Sequence, residues 1–330
     1  MSTSEMAQVK RGDLKPTVSV IILNWNGRRF LESCLSSVLR QTYRDYEVVL
    51  LDNGSNDGSV EFVKERFPEV RVICSDRNLG FAEGNNRAIK ATGSRYIATL
   101  NNDTEVETGW LQALIEAIES DERVGMCASK VLYADRPDLI DSAGIYPGWS
   151  GTMWNRWHGE RDESNVSTPV EVFGPCAAAA LYRREMLEEI GPFDETFFAY
   201  LEDADLAWRA RLAGWKCLYV PAARVYHVHS ATGGINPKVK RYLLARNKIW
   251  MVAKNYPAPQ ILLCLPLIVL FDLASLLYNL CLTRDLAALT GRLAGVAGLV
   301  PISRKRRQVQ RSKVVPFSTV AKLFKPFPNP

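Results

Sequence analysis

The sequence predicts an α/β fold: a sheet of parallel strands with helices on both faces, followed by a hydrophobic helical segment that associates with a membrane. Three observations carry this. Apolar, β-branched runs alternate with helical patterns four times across residues 17–119, the signature of strand–helix–strand units. Each run ends in a polar cluster, at Asn24–Asn26, Asp52–Asp57, Asn78–Gly80 and Asn101–Thr104. In parallel sheets ligands bind at the carboxyl ends of the strands. Finally, residues 261–282 carry a single charge, and a stretch rich in Lys and Arg follows.

The elements follow in order. Residues 1–15 are polar and read as a disordered N-terminus. TVSVIILNWNG is a buried strand ending in Asn and Gly. Phe30, Leu31, Leu35, Val38 and Leu39 then recur at helical spacing over 28–40. YEVVLLDNGSNDGS repeats the pattern, with a helix over 57–66. VRVICSDRNLG gives a third strand before a helix over 81–91, and SRYIATLNNDT a fourth before a helix over 107–119. Residues 134–170 are rich in Gly, Pro, Trp and charge and read as a long functional excursion, with Trp149, Trp154 and Trp157 expected on an ordered, substrate-facing surface. VEVFGPCAAAALYRREML returns to strand and helix. FFAYLEDADLAWRARLAGW starts another helix, WKCLYVP is a strand, and 237–254 is helical.

As a helix, 261–282 spans about 33 Å at about 1.5 Å per residue, enough for a bilayer. Asp272, Ser275, Asn279 and Thr283 recur at three- and four-residue steps and share one face. That polar stripe suits a helix packed on segment 286–300 or lying in the membrane interface better than a lone span. Residues 301–330 hold eight basic residues and no acid, leaving 33 basic against 36 acidic in 1–300. The overall charge of +5 thus hides an acidic body and a basic tail. Coming after an apolar segment, the tail is expected on an anionic membrane surface, not on nucleic acid. The seven cysteines are scattered and odd in number, which points to a reducing compartment. No apolar core marks a secretory signal in the first 20 residues.

Chemistry concentrates in three places. Asp52 ends a strand, where it can accept hydrogen bonds from a base or ribose, or simply close an Asx turn in DNGS. No GxGxxG or GxxxxGK[ST] pattern is present. Asp103, after two amides, offers a hard oxygen for Mg²⁺ or Mn²⁺. His227 and His229, two apart on a strand, can face the same site and add an imidazole nitrogen. Lastly, Glu202, Asp203 and Asp205 cluster at a helix start, where the dipole favours a carboxylate by about 0.3–1 kcal/mol. Asp205 lies four before Arg209 and reads as a helix-surface carboxylate. Position alone leaves Glu202 and Asp203 unresolved as the proton acceptor.

In order, VSVIILNWNG, LLDNGSNDGS, NLGFAEGNN, LNNDT, GPFDETFFAYLEDADLAWRARLAGW and VYHVHSATGG make a pattern. On these blocks, which cover 17–235, the chain resembles the family 2 inverting glycosyltransferases, especially the rhamnosyltransferase-like branch that builds bacterial polysaccharides. The resemblance implies a GT-A fold, a Rossmann-like mixed sheet with flanking helices. It implies a glycosyltransferase domain over 16–235, a helical membrane-associated region over 236–300 and the basic tail over 301–330. It places Asn24 and Trp25 in a nucleotide pocket, Asp52 on the base, and Asn78 and Gly80 against the nucleotide or its sugar. The family's DxD motif falls on Asn101–Asn102–Asp103, so metal binding rests mainly on Asp103, completed by His227 or His229. The motif's central Asn102 is expected on the nucleotide sugar. Asp203 is the implied base, with Glu202 its neighbour and rival. Arg246 and Asn247 match an RN pair that approaches phosphate or acceptor. The implied donor is a nucleotide sugar, first dTDP-rhamnose, with UDP-glucose, UDP-galactose and UDP-N-acetylglucosamine as alternatives. The implied acceptor is a polyprenyl-diphosphate-linked glycan, and the implied place is the cytoplasmic face of the cell membrane. Because the first DxD carboxylate is missing, a nucleotide-sugar-binding protein without catalysis is the competing expectation.

Overall fold

The computed structural model describes residues 15–163, 166–228 and 236–325. The segment expected to be disordered falls, up to residue 14, outside the described residues, and so does His229. Strand and helix alternate first as β1 (Val18–Asn24), α1 (Arg28–Leu39), β2 (Tyr46–Asp52), α2 (Ser59–Arg66), β3 (Arg71–Cys74), α3 (Gly80–Lys90) and β4 (Tyr96–Asn101). The strands β3, β2, β1 and β4 lie side by side and parallel. Helices α2 and α4 begin later than their periodicity suggests, because polar turns hold the preceding residues. Asp57 accepts from the Ser59 N–H at 3.1 Å, and Trp110 N–H donates to the Glu107 carbonyl at 3.0 Å.

The second part is less regular: β5 (Thr104–Val106), α4 (Trp110–Glu119), β6 (Val124–Tyr133), β7 (Ile140–Ser142), β8 (Ile145–Pro147), β9 (Met153–Asn155), β10 (Val170–Val172), β11 (Ala179–Arg183), α5 (Arg184–Ile190), α6 (Glu202–Leu212) and β12 (Lys216–His227). Strand β11 runs antiparallel to both β4 and β6, and β12 runs parallel to β6. The sheet is therefore mixed, in the order β10-β12-β6-β11-β4-β1-β2-β3. Both faces are covered because the central strands are apolar on both. Val20 and Ile22 pack with Leu31 and Leu35 of α1; Ile21 packs on the other side with Ala88 and Ile89 of α3.

The tryptophans of the excursion divide. Trp154 on β9 reaches the central cavity. Trp149 instead stacks 4.8 Å from Phe324, and Trp157 packs 5.7 Å from Tyr219. The latter two serve packing rather than a substrate surface.

The C-terminal part is α7 (Pro237–Asn255), α8 (Ala258–Tyr278), α9 (Ala287–Ala297), α10 (Leu299–Arg311) and α11 (Phe317–Ala321). Helix α7 lies against the sheet-bearing body through buried Leu243, Asn247 and Met251. Its other side takes α9 so closely that a Cβ at Gly291 would stand 2.3 Å from the Tyr242 carbonyl. Within the stretch expected as a basic tail, the described residues 301–325 pack against the rest of the chain. Arg306 donates to the Ala253 carbonyl at 2.7 Å, and Val314 N–H donates to the Leu212 carbonyl at 2.9 Å. Phe324 seats its ring 5.6 Å from that of Trp208. Among the described residues one helix, Ala258–Leu282, is long and apolar enough to cross a membrane.

Candidate active site

The strand register builds the floor of the site. Asn24 on β1 lies opposite Asp52 on β2, and Leu23 lies opposite Asn101 on β4. The Asn24 amide donates to Asp52 Oδ1 at 2.8 Å, and Asn24 Oδ1 accepts from Asn102 Nδ2 at 2.6 Å. Asp52 also accepts from the Ser55 N–H at 2.8 Å and the Ser55 hydroxyl at 2.7 Å, which closes the turn after β2. Above this layer opens a cavity of about 460 Å³ lined by Trp25, Asn53, Asn78, Gly80 and Asn102. Asn24 and Asp52, expected in the pocket, do not line it. They are buried and satisfy one another, so they brace the residues that do.

The carboxylates enter from the opposite wall. Phe198, Tyr200 and Leu201 all have left-handed backbones, at φ 66°, 69° and 66°. Each costs about 1–2 kcal/mol in a residue with a side chain. This strained turn aims Glu202 and Asp203 into the cavity. Gly80 makes room for it, since a Cβ there would lie 2.5 Å from the Phe198 carbonyl. Asn247 holds it: its amide nitrogen is 2.7–3.0 Å from the carbonyls of Phe197, Ala199 and Tyr200. Arg246 donates to the Phe197 carbonyl at 2.9 Å and stacks 4.4 Å from Trp250. Arg246 and Asn247, expected to approach phosphate or acceptor, are not among the residues that line this cavity, and both turn donors to the strained loop. Asn247→Ala is expected to lower thermal stability by about 1–3 kcal/mol, the cost of leaving buried carbonyls unpaired, and to lower turnover by misplacing Asp203; calorimetry with steady-state kinetics reads both.

The two neighbours differ electrostatically. Glu202 is 5% exposed, and its Oε2 has no hydrogen-bond partner among the described residues. Burial, and then the charge of Asp203, push its carboxyl well above the usual range. Asp203 is also raised by burial, but it accepts from the Ala177 N–H at 3.3 Å and the Ala204 N–H at 2.7 Å. Those donors favour its anion. Of the two, Glu202 is pushed further toward its neutral form, and Asp203 keeps the donors that favour its anion. Asp205 belongs to neither role. It is fully buried, bonded to Arg209 at 2.9 Å, Lys254 at 2.8 Å and Asn255 at 2.8 Å. The pairing with Arg209 was legible, but the helix-surface placement is overturned, because α7 covers that face.

The third group joins β4 and β12. Asp103, 2% exposed, has Oδ1 3.3 Å from His227 Nε2. On its far side His227 Nδ1–H donates to Asp141 Oδ2 at 2.8 Å. Burial lowers the imidazole, but the two carboxylates outweigh it and raise it to about 9. His158 Nδ1 donates to the Asp141 carbonyl at 2.9 Å. A carboxylate oxygen and an imidazole nitrogen side by side suit Mg²⁺ or Mn²⁺. Among the described residues no set of three His, Cys, Asp or Glu converges as ligands.

Sequence reasoning missed Asp141 and Lys240. Asp141 lies in the irregular excursion, where periodicity says nothing. Lys240 lines the cavity from α7, beyond the sheet whose strand ends drew attention.

A family model described as glycosyl transferase family 2 matches residues 19–191. The chain is 30% identical over 249 residues to the N-acetylglucosaminyl-diphospho-decaprenol L-rhamnosyltransferase of Mycobacterium tuberculosis, covering 68% of this chain and 79% of that one. It is 25% identical to glycosyltransferase AglE of Haloferax volcanii, over 72% and 75% of the two chains. Among solved structures, the mannosyltransferase PcManGT from Pyrobaculum calidifontis with GDP-Man and Mn²⁺ aligns with a TM-score of 0.53 at 18% identity, over 94% of this chain and 84% of that one. TarS 1-349 of S. aureus aligns with a TM-score of 0.57 at 15% identity, over 90% and 86%. These likenesses show a GT-A-like fold.

Proposed function

The chain belongs to glycosyl transferase family 2 and is a glycosyltransferase, and from that premise we propose that it transfers L-rhamnose, with inversion, from dTDP-rhamnose to a polyprenyl-diphosphate-linked glycan. The observation that carries the catalytic half is the Asp203 carboxylate at the cavity wall, whose anion two backbone N–H groups favour, beside a Glu202 carboxyl that burial pushes well up. An acceptor hydroxyl is a poor nucleophile at neutral pH, and a placed carboxylate removes its proton as attack proceeds. Attack from the face opposite the leaving nucleoside diphosphate inverts the anomeric carbon. The proton goes to Asp203 and the bonding pair leaves with the diphosphate.

The roles of the remaining residues follow from place. Trp25, Asn53, Asn78, Gly80 and Asn102 offer a flat ring, amides and an open backbone to the nucleotide sugar. Lys240 offers a cation at the same cavity. Asp103 and His227 would hold Mg²⁺ or Mn²⁺, which when bound neutralises charge growing on the departing diphosphate. The rhamnose and lipid-linked parts are supported by the mycobacterial relative, whose name states both. The test is a donor screen by product mass, offering dTDP-rhamnose and UDP-linked glucose, galactose and N-acetylglucosamine with N-acetylglucosaminyl-diphospho-polyprenol. Rhamnosylated lipid is the expected product; exclusive use of a UDP sugar overturns the donor.

Asp141 fixes the face that His227 turns to the cavity. With Nδ1–H tied to Asp141, Nε2 points at Asp103. Carboxylates behind ligating histidines raise metal affinity about 10–100-fold. Asp141→Asn is therefore expected to weaken Mn²⁺ binding by about that factor, read from the paramagnetic resonance of free Mn²⁺ in the presence of a nucleoside diphosphate. Unchanged affinity would remove Asp141 from this role.

A further inference from the structure

We infer that α8 does not cross a bilayer but lies along an anionic leaflet, and that α8, α9 and the arginine face of α10 together form the docking surface. The apolar surface is large and uncovered. Only 11% of the most apolar stretch of α8 is buried, and Leu262 and Leu263 are each 73% exposed. Leu270 and Leu277 continue the face, and Leu293 and Val296 extend it onto α9. Contiguous apolar area of this kind marks a partner or a membrane.

Chain connectivity excludes a single crossing. Helix α7 precedes α8 and packs on the catalytic body, while the described helices after α8, α9 to α11, pack back onto α7 and the same body. Trp250 of α7 donates to the Gly295 carbonyl of α9 at 2.9 Å. Gln310 of α10 donates to the Asn255 carbonyl at 3.0 Å. Lys325 N–H donates to the Pro147 carbonyl at 3.1 Å, in the same β8–β9 hairpin that carries Trp154. A single span would put α9–α11 across the bilayer from these partners. Mid-helix chemistry agrees. Asp272 is paired with Lys248 of α7 at 3.3 Å and Arg292 of α9 at 3.1 Å. One face of α8 is thus held by protein, which leaves the opposite face for lipid.

The charge pattern selects the leaflet. Arg304, Arg307 and Arg311 share one exposed face of α10 around a shallow depression with Gln308 and Ser312. None of the three forms an ion pair among the described residues, whereas Lys305 and Arg306 turn inward to Asp194 and the Ala253 carbonyl. Val300, 69% exposed, lies one turn before Arg304 on the same face of α10, so the arginines continue an apolar surface, and such basic side chains are attracted to acidic headgroups. The surface also adjoins the cavity. Lys240 and Leu244 line the cavity, while between them Arg241 binds Asp285 at the head of α9.

The inference stands apart from the donor and acceptor assignments. Its test uses the full chain carrying Cys281→Ser and Ser318→Cys, added to sealed phosphatidylcholine vesicles with and without phosphatidylglycerol. Exposed Cys74 reports the catalytic body, and the cysteine placed at exposed position 318 on α11, away from the arginine face, reports the segment after α8. A membrane-impermeant maleimide is expected to label both sites on the same bound molecule, mapped by peptide mass. Protection of one of the two on every bound molecule establishes a span and overturns the inference. Leu263→Glu with Leu270→Glu should abolish sedimentation with vesicles while donor-nucleotide binding persists. Arg304→Glu with Arg307→Glu should weaken binding roughly tenfold on phosphatidylglycerol vesicles only. Equal binding to neutral and anionic vesicles overturns the charge argument. A soluble dimer that ignores vesicles overturns the lipid occupant in favour of a second copy.

Discussion

Asp203→Asn is expected to lower glycosyl transfer by about 10²–10⁴-fold, the range of a placed general base, with donor affinity unchanged. Glu202→Gln is expected to retain most of the activity. The contrast follows from the wiring of the two carboxyls. Asp203 accepts two backbone N–H bonds, whereas Glu202 Oε2 accepts none among the described residues. Burial and the charge of Asp203 push Glu202 toward its neutral form, and an amide reproduces a neutral carboxyl closely. Asn at 203 keeps the shape but cannot take a proton. Burial raises Asp203, so its basic form is lost as pH falls through a value above the ordinary carboxylate near about 4. The wild-type rate should therefore fall on the acid side at that higher pH, and the residual rate of Asp203→Asn should lack this limb. A Glu202→Gln enzyme as damaged as Asp203→Asn would transfer the base assignment to Glu202. Product analysis over a pH series reads all three outcomes.

Much of this was legible because it was written in local patterns. Continuous apolar runs gave the four parallel strands, and the turn residues after them gave the loops that line the cavity. The fold of the second half was not legible in the same way. Strand β11 inserts beside β4 although Ala179 pairs with Leu100, 79 positions earlier, and no local signal specifies such a pairing. Residues named for chemistry also moved by one layer. Asp52 and Asn24 stand behind the cavity, because in a buried layer each is the other's best partner. Asp141 was invisible for the opposite reason: its partner His227 lies 86 residues away, and its own surroundings carry no periodicity. The apolar C-terminal helix was plain from composition, but its relation to a bilayer was not. That depended on the segment after it returning to the catalytic body, a long-range contact again.

Asp205→Ala is expected to destabilise the chain by about 3–5 kcal/mol, the cost of removing one partner from a buried ionic cluster. Asp205 has no exposed side-chain area, Lys254 has 4% and Arg209 has 7%. Removing the carboxylate leaves two cations in the interface between α6 and α7, with Asp194 paired to Lys254 at 2.6 Å as the remaining acid there. Because Lys305 of α10 also reaches Asp194, the damage should spread to the docking of the C-terminal helices. The pH dependence gives a second reading. Burial raises the Asp205 carboxyl, but Lys254 and Arg209 outweigh it and hold it below the usual range. A carboxyl lowered in the folded state contributes fully above its unfolded value near about 4, and the contribution is lost as pH falls through the lowered value. The gap between wild type and Asp205→Ala should therefore be widest at neutral pH and narrow in acid. Lys254→Met in the Asp205→Ala background should recover part of the loss, since it removes an unpaired buried cation. Denaturation curves of the single and double variants measure that coupling, and simple additivity of the two changes would show that the ions do not act as one cluster. If they do, the carboxylate three residues before Trp208 is an anchor: it fixes the helix whose first turn presents Asp203, so stability and proton transfer are set within four residues of each other.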